Sequence, residues 1–230
     1  MSCSGTPVLA LTATADLASR NRVIKILHMA GAKRVIVSPH RSNIRLGLAS
    51  TPKRELKCLD WIVDDVGANA AAMAPIIIYC HSYDVIGQVF AHFERELGED
   101  LWLNKDPENK IENLLVGMFT AKTRPYNRDH VIKSMNGNGN CRVVIASTAL
   151  GMGLNFPNIS HVVMYGPPAD TEDIVQQVGR AGRNGLPSHA ILYTAKQTRH
   201  VDTAVKELLK EGKKGCIRKA LYSQFEENTH

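Results

Sequence analysis

Ile76-Ile77-Ile78-Tyr79-Cys80-His81-Ser82 is the stretch that decides the fold, together with the helical periodicity of residues 85–97 that follow it. A short unbroken apolar run is typical of a strand buried on both faces, and the polar pair after it ends the strand. A helix directly after such a strand belongs to a βαβ unit. The stretch therefore predicts a parallel sheet covered by helices.

The same alternation of short apolar runs and longer helical patterns extends along the chain in both directions. The remaining strand predictions are residues 7–11, 34–37, 44–49, 114–119, 143–147, 161–165 and 190–193. The remaining helix predictions are residues 16–29, 53–66, 125–135, 171–181, 196–210 and 219–226. We expect an α/β fold in three layers, with helices on both faces of a parallel sheet.

Composition limits the classes of protein to consider. The chain has 230 residues, of which 44% are hydrophobic, and its net charge of +6 with a pI near 9.1 favours a polyanionic partner. Its apolar runs fall far short of the roughly 20 residues that span a bilayer, and its N-terminus has no signal pattern, so we expect no membrane segment and residence inside the cell. Its five cysteines are widely spaced, which argues against a disulfide framework or a complete metal site.

The segment from Gln176 to Gly185 carries Arg180 and Arg183 on a turn rich in glycine. Two arginines three positions apart can reach one anion together, and a guanidinium is suited to phosphate oxygens and to the charge on a transferring phosphoryl group. The alternative is a surface loop with two solvated charges. Segments elsewhere in the chain decide between these two interpretations.

Three further polar segments, residues 11–15, 80–82 and 147–155, directly follow predicted strands. Residues 176–185 end the helix that follows another strand. In open α/β sheets ligands gather at the carboxyl ends of the strands, so we expect all four segments at that edge. Small hydroxyls and glycines there allow a nucleotide or a nucleic-acid backbone to approach the main chain.

Taken in order, these segments resemble the motifs of superfamily 2 helicases, and within them of the RecQ-type DNA helicases. Leu11-Thr12-Ala13-Thr14-Ala15 is similar to motif III, residues 76–82 to motif IV, Gly151-Met152-Gly153 to motif V and residues 176–185 to motif VI. Arg41-Ser42-Asn43-Ile44 resembles the Arg-x-Asn-Ile of RecQ proteins. The resemblance covers nearly the whole chain and implies a RecA-like sheet.

The resemblance also implies a division of the chain into three parts. Residues 1–38 correspond to the tail of a first RecA-like, ATP-binding domain, residues 39–210 to a second RecA-like, helicase C-terminal domain, and residues 211–230 to the start of a zinc-binding helical subdomain. The phosphate-binding Gly-x-x-x-x-Gly-Lys-[Ser/Thr] and the magnesium-binding Asp-Glu-x-His of the first domain do not occur in the 230 residues. We therefore expect this chain alone to hydrolyse no ATP.

On the nucleotide side, the resemblance implies that Arg183 is an arginine finger for the γ-phosphate of ATP, which binds with Mg²⁺ mainly to the first domain. Arg180 supports the finger, and Gln176 couples the nucleotide state to domain closure. Asn155 and Gly153 approach the nucleotide. The alternative for Gln176 is a solvated helix position.

On the DNA side, the resemblance implies contacts to single-stranded DNA, or to a duplex junction, that give grip without sequence preference. The implied DNA-binding residues are Ser82, Ser147, Arg41, Asn43 and Arg128. Thr12 and Thr14 couple hydrolysis to strand movement in the 3′–5′ direction, or alternatively only complete a turn. The chain departs from the family pattern mainly on this side, at His81, Tyr83, Leu150 and residues 118–121.

Cys216 begins a segment that resembles the opening of the RecQ zinc-binding subdomain, where further cysteines complete a tetrahedral site. One cysteine cannot hold a structural Zn²⁺, so a zinc site requires a longer chain. Cys216 is either an orphan ligand or an ordinary cysteine at the start of a helix.

The leading interpretation is motor domain two of an ATP-dependent 3′–5′ DNA helicase for DNA repair and recombination, nuclear in a eukaryote and otherwise cytoplasmic. Two alternatives stay open. An RNA helicase of the same superfamily shares the Gly-Arg-x-Gly-Arg string but is disfavoured by Gly-Met-Gly and Arg-x-Asn-Ile. A non-catalytic module that binds nucleic acid or a partner stays open because the phosphate-binding loop is missing.

Overall fold

Six strands form one parallel sheet in the computed structural model of the chain. They are β1 (Ile44–Ser50), β2 (Ile76–Cys80), β3 (Val116–Phe119), β4 (Val143–Ala146), β5 (His161–Tyr165) and β6 (Ser188–Thr194). Their order across the sheet is β1-β6-β5-β2-β4-β3, and every neighbouring pair is parallel. The structure describes residues 7–12, 14–51, 55–106, 108, 110–151, 154–194 and 201–225.

Helices connect the strands. They are α1 (Leu17–Ile26), α2 (Asp60–Asn69), α3 (Tyr83–Leu97), α4 (Pro125–Met135), α5 (Thr171–Val178), α6 (Thr203–Lys214) and α7 (Ile217–Tyr222). Single 3₁₀ turns lie at Leu56–Leu59, Ala70–Ala72, Gly98–Leu101, Leu103–Lys105, Ile111–Asn113 and Thr148–Gly151. Within the described ranges, every helix is too short or too polar to span a bilayer.

The sheet separates two apolar cores, because successive side chains of a strand point to opposite faces. Ile77 and Tyr79 of β2 lie in the core that α4, α5, α6 and α7 cover, whereas Ile76 and Ile78 lie in the core that α2 and α3 cover. All five side chains of β2 are buried. The predicted three-layer α/β fold with helices on both faces is therefore confirmed.

Two of the predicted strands are wrong. Residues 7–11 and 34–37 are extended or irregular, and neither pairs with a strand in the part of the chain that the structure describes. A strand needs a neighbour for its main-chain hydrogen bonds, and an apolar run alone does not supply one. Leu9 and Val37 are accordingly 80% and 82% exposed.

Several helix ends also differ from the sequence prediction; α1 ends at Ile26 rather than at residue 29, and α2 begins at Asp60 rather than at residue 53. α5 ends at Val178 rather than at residue 181. α6 begins after Asp202, whose carboxylate accepts a hydrogen bond from the Val205 N–H at 2.8 Å and caps the helix. Because α6 continues to Lys214, the predicted boundary at residue 210 falls inside a helix, and α7 packs into the same core as α5. Residues 196–200 of the predicted helix lie outside the described residues.

We expect Gly117→Ala to destabilise the protein by about 2 kcal/mol because it overpacks a closed core. A Cβ on Gly117 of β3 would lie 2.8 Å from Cγ2 of Val131 in α4 and 3.1 Å from Sγ of Cys141. Gly47→Ala in β1 is the matched control, since its Cβ would meet only a carbonyl oxygen at 4.0 Å. Urea unfolding of both variants measures the difference, and equal midpoints would contradict this packing.

Candidate functional site

The polar segments that follow β2, β4 and α5 do not all have their main chain at the same end of the strands. Ser82 and Ser147 follow the carboxyl ends of the neighbouring strands β2 and β4. Residues 179–185, which we call the arginine turn, lie at the opposite edge, where the Gly182 N–H donates to the carbonyl of Ile159, just before β5, at 2.8 Å. The main chain of the turn lies there because α5 returns the chain toward the amino ends of the strands. Arg180 nevertheless lines a small pocket together with Tyr79, near the carboxyl end of β2, and Thr148, which follows β4.

The arginine turn follows an amphipathic helix whose end it closes. Asp170 caps the start of α5 through a hydrogen bond from the Asp173 N–H at 2.7 Å. Ile174 and Val178 bury one face of the helix. Gly182 then adopts φ +54°, a left-handed conformation that costs a residue with a Cβ about 1–2 kcal/mol. The chain therefore reverses directly after the helix and turns both arginines toward the preceding loop.

Arg180 and Arg183 both contact the loop between β4 and β5. Nη1 of Arg180 donates to the carbonyl of Leu154, and Nη1 of Arg183 donates to Oδ1 of Asn155. Nε of Arg183 also donates to the carbonyl of Gly179 at 3.3 Å. These contacts place the two guanidinium groups side by side on one surface, as the sequence predicts, with Asn155 beside them.

Positive charge accumulates at this surface. The pKa of Arg183 is lowered, first by partial burial and then by the neighbouring charges of Arg180 and Arg41. The two hydrogen-bond acceptors of Arg183, a carbonyl and an amide oxygen, are both uncharged. Bringing an anion to these guanidinium groups would offset their mutual repulsion, which makes the surface suitable for phosphate oxygens.

Arg41 and Asn43 hold the main chain of the arginine turn. Nη1 of Arg41 donates to the carbonyls of Gly179 at 3.3 Å and Ala181 at 3.0 Å, and its Nη2 donates to the carbonyl of Gly182. Nδ2 of Asn43 also donates to the Gly182 carbonyl, at 2.9 Å. These carbonyls belong to the turn that follows α5, whereas the helix carbonyls of Val175, Gln177 and Val178 already accept from N–H groups of the turn. The guanidinium therefore supplies donors to oxygens that lie beyond the helix. Both residues, predicted to bind DNA, are thus brought to the arginine turn.

Gln176 and Thr14 meet across 162 positions of sequence. Nε2 of Gln176 donates to Oγ1 of Thr14 at 3.2 Å, and the hydroxyl of Thr12 donates to the carbonyl of Thr14 at 2.7 Å. The N–H of Asp16 reaches Oε1 of Glu172 in α5 at 3.3 Å. The segment predicted to couple hydrolysis to movement therefore contacts the helix that carries the arginine turn.

Ser82 has a structural contact at the other edge. Its Oγ accepts a hydrogen bond from the Val85 N–H at 3.3 Å and caps α3. A hydroxyl has one proton to donate besides its acceptor sites, so this proton stays available for another oxygen. The N–H of Ser147 donates to the carbonyl of Phe119 at 3.2 Å, which places Ser147 beside the end of β3.

A basic and apolar cavity that the sequence did not indicate lies next to these serines. It encloses about 360 Å³, and its lining residues are Tyr83, Ile86, Gly87, Met118, Thr120, Lys122, Thr123, Arg124 and Asn127. Nζ of Lys122 lies 5.0 Å from the centre of the Tyr83 ring. Arg128, predicted to bind DNA, lies nearby with its guanidinium 5.3 Å from the centre of the Phe119 ring. Residues of two separate stretches, 83–87 and 118–127, form the cavity, so no single motif could reveal it.

Of the two remaining predicted site residues, only Cys216 lies within the described residues, and it is not brought to these surfaces. Gly153 lies outside the described residues. Cys216 is exposed at the start of α7, where the backbone N–H of Lys219 lowers the pKa of its thiol. Within the described ranges no three His, Cys, Asp or Glu side chains cluster as a metal site would require.

Gly182→Ala is expected to destabilise the protein by about 3 kcal/mol, since strain at positive φ adds to overpacking. Its Cβ would lie 2.6 Å from both Nδ2 of Asn43 and Oγ of Ser188. The control is Gly185→Ala, which has φ +83° but open space around the new Cβ, so we expect a loss of about 1 kcal/mol from backbone strain alone. Equal losses in denaturant unfolding would refute the close contact between Asn43 and the turn.

The chain is similar in sequence to known helicases. The family model of the helicase conserved C-terminal domain matches residues 57–185. The ATP-dependent DNA helicase RecQ of Pasteurella multocida is 30% identical over 187 residues, which are 81% of this chain and 26% of the relative. The RecQ-like DNA helicase BLM of Xenopus laevis is 28% identical over 214 residues, 91% of this chain and 14% of the relative. The chain thus spans about a quarter or less of the length of these relatives.

Solved structures share the fold. Dbp5 of S. cerevisiae, bound to RNA and ADP BeF3, superposes with a TM-score of 0.59 at 17% identity over 91% of this chain and 54% of that chain. Domain 2 of the DEAD-box helicase Mss116p, bound to an RNA duplex, gives a TM-score of 0.52 at 14% identity over 81% of this chain and 70% of that chain. The expected RecA-like architecture is confirmed.

Proposed function

Because this chain belongs to the helicase conserved C-terminal domain family, on the RecQ-type branch of superfamily 2, we propose that it is the second motor domain of an ATP-dependent 3′–5′ DNA helicase. The observation that carries the proposal is the pair Arg180 and Arg183, which the arginine turn holds side by side on one surface. The names of the RecQ relatives support DNA as the substrate. Their greater length makes the activity of the whole protein part of the proposal.

Arg183 acts as the arginine finger. Phosphoryl transfer needs positioned positive charge around the transferring group, and a permanently charged fork of donors supplies it. Arg183 donates to Asn155 Oδ1 and the Gly179 carbonyl. Both acceptors are neutral, so exchanging them for γ-phosphate oxygens replaces weak hydrogen bonds with charge-assisted ones. Arg180, anchored on the Leu154 carbonyl, holds the second charge in place.

ATP and Mg²⁺ bind mainly to a first RecA-like domain, and this chain supplies the other side of the nucleotide site. The chain alone is therefore inactive, since its sequence contains no phosphate-binding loop. Residues 1–38 are the tail of that first domain, residues 39–210 the second domain and residues 211–230 the start of a further subdomain. The apolar side chains of Val8, Leu11 and Val35, each more than half exposed, support this assignment because they are suited to cover by the rest of a first domain.

Hydrolysis couples to strand movement through the contact between Gln176 and Thr14. One residue lies on the helix of the arginine turn and the other on the segment assigned to the first domain. A change of nucleotide state that moves the first domain therefore acts directly on α5. Alternating closure of the two domains then advances the strand.

Single-stranded DNA lies along the carboxyl edge of the sheet. Ser82 offers a hydroxyl proton and Ser147 lies beside β3, while Lys122, Arg124 and Arg128 supply positive charge next to them. Contacts of this kind hold phosphates without reading sequence. We place the protein where DNA is, in the nucleus of a eukaryotic cell and otherwise in the cytoplasm.

Arg183→Ala, made in the longer protein that includes the first domain, should lower the DNA-stimulated kcat for ATP by about 10³-fold, because the developing charge loses its cation. ATP affinity should change less than about tenfold, since the finger acts mainly in the transition state. Arg95→Ala is the control, because Arg95 is an exposed arginine that pairs only locally, with Glu96 at 2.7 Å and with His92. Turnover that survives in the Arg183 variant would remove the finger from the proposal.

Ser82→Asp separates capping from DNA binding. Asp caps a helix as well as Ser does, so stability should change by less than about 0.5 kcal/mol. The new carboxylate should repel phosphate and weaken binding of a fluorescent single-stranded oligonucleotide about tenfold at 0.1 M salt. Ser82→Asn, which caps without charge, should bind within about threefold of the parent. If the Asp variant binds as well as the Asn variant, DNA does not pass this edge.

A further inference from the structure

Arg218 of α7 makes three contacts with residues 40–44, which lead into β1 and include its first residue. Its Nη1 lies 2.7 Å from Nε2 of His40 and donates to the carbonyl of Arg41 at 3.1 Å, and its Nη2 donates to the carbonyl of Ile44. The His40 ring also packs edge-on against the Tyr222 ring of α7, with 5.2 Å between the ring centres. Helix α7 thus holds the main chain of Arg41 and the side chain of His40 in place.

Arg41 in turn fixes the arginine turn, and one carbonyl links it to the finger. The Gly179 carbonyl accepts from Nη1 of Arg41 and from Nε of Arg183, each at 3.3 Å. The Arg41 guanidinium also holds the carbonyls of Ala181 and Gly182. The position of Arg183 therefore depends on where Arg41 holds the Gly179 carbonyl.

We infer that Arg218 and Arg41 are positioning residues for the arginine finger, and that α7 sets the geometry of the nucleotide side from outside the RecA-like sheet. We call these two arginines and the carbonyls they hold the arginine–carbonyl network. The inference rests on the proposed function only for the identity of the finger. The network itself is a property of this chain and can be tested without ATP.

The chemistry of the contacts requires arginine rather than any cation. A guanidinium presents five donors in a planar fork, so one side chain can hold two or three oxygens at fixed angles. A lysine at position 218 would keep the charge but present it as a single point. Replacing Arg218 by Lys should therefore restore only part of the network.

The same C-terminal segment also holds α1. The Leu17 N–H donates to the carbonyl of Gln224 at 3.4 Å, and Nη2 of Arg20 donates to the carbonyl of Phe225 at 2.9 Å. α1 directly follows the segment in which Thr14 meets Gln176. Residues 216–225 thus contact residues 40–44 and α1. The first of these leads to the arginine turn and the second to the contact between Thr14 and Gln176, so residues 216–225 can position both.

Hydrogen exchange of the arginine turn in this chain tests the network. The N–H groups of Gly182 and Asn184 donate to the carbonyls of Ile159 and Pro157, so their exchange reports local opening of the turn. Arg218→Met should speed their exchange about tenfold, as expected for the loss of charge-assisted hydrogen bonds. In Arg218→Lys, the exchange rate of these amides should lie between the rates in Arg218→Met and in the parent. Exchange of the β4 amides, which reports global opening, should change less than that of the turn.

Lys219→Met is the matched control. It removes the same charge from the same helix at an exposed position, and it should leave exchange of the turn unchanged. Arg41→Met should speed exchange as Arg218→Met does. Arg218 acts on the turn through Arg41, so the two substitutions should not be independent. The exchange rate of the double variant should therefore rise by less than the product of the two single increases. Two results would contradict the network. One is an unchanged exchange rate of the turn in Arg218→Met, and the other is a double variant whose rate increase equals the product of the two single increases.

The role in catalysis has a separate readout in the longer protein. Arg218→Met should lower kcat about tenfold and leave KM for ATP nearly unchanged, since a displaced finger weakens only the transition state. If exchange speeds up but kcat stays at the parent value, the positioning role is refuted although the contact is real. If Arg183→Ala itself leaves turnover intact, the finger assignment fails, while the exchange result still decides whether the network exists.

Discussion

The carbonyls of the turn that follows α5 are the constraint on which the candidate site depends. The chain reverses within a few residues of the end of α5 because β6 begins at Ser188, and the carbonyls of this turn need donors from outside the helix. Gly182 makes the reversal sterically feasible, and Arg41 satisfies three of the exposed oxygens. Arg183 donates to the turn through Nε, at the Gly179 carbonyl, while Nη1 of Arg180 and Nη1 of Arg183 are directed to the loop before β5.

The molecule has two candidate ligand surfaces, one at the carboxyl ends of the strands and one at the arginine turn, and α5 connects them. α5 starts after the carboxyl end of β5 and ends at the amino edge of the sheet. The carboxyl ends of the strands are suited to the phosphates of a nucleic acid, because α3 starts there and basic side chains lie around an apolar cavity. Phosphates of a nucleotide are suited to the arginine turn. A rigid helix between the two gives a physical means for one ligand to affect the other.

Local patterns in the sequence predicted the elements that depend on burial alone. The apolar run of β2 and the periodicity of α3 were sufficient, since both follow from which side chains avoid water. Residues 7–11 and 34–37 failed because an apolar run does not show whether a partner strand exists. The arginine pair was evident from its spacing. The contacts that join Arg218 to Arg41, and Arg41 to the carbonyl of Gly179, were not evident, because they link residues 138 and 177 positions apart without any periodic signal.

The central claim is that Arg183 contacts the phosphates of a nucleotide held by another domain. The direct test is the Nε–Hε resonance of Arg183, followed by NMR in the longer protein as a non-hydrolysable ATP analogue with Mg²⁺ is added. The account predicts that this resonance shifts and that its exchange with water slows as the nucleotide saturates. An unchanged Arg183 resonance, while signals of the first domain report bound nucleotide, would contradict it.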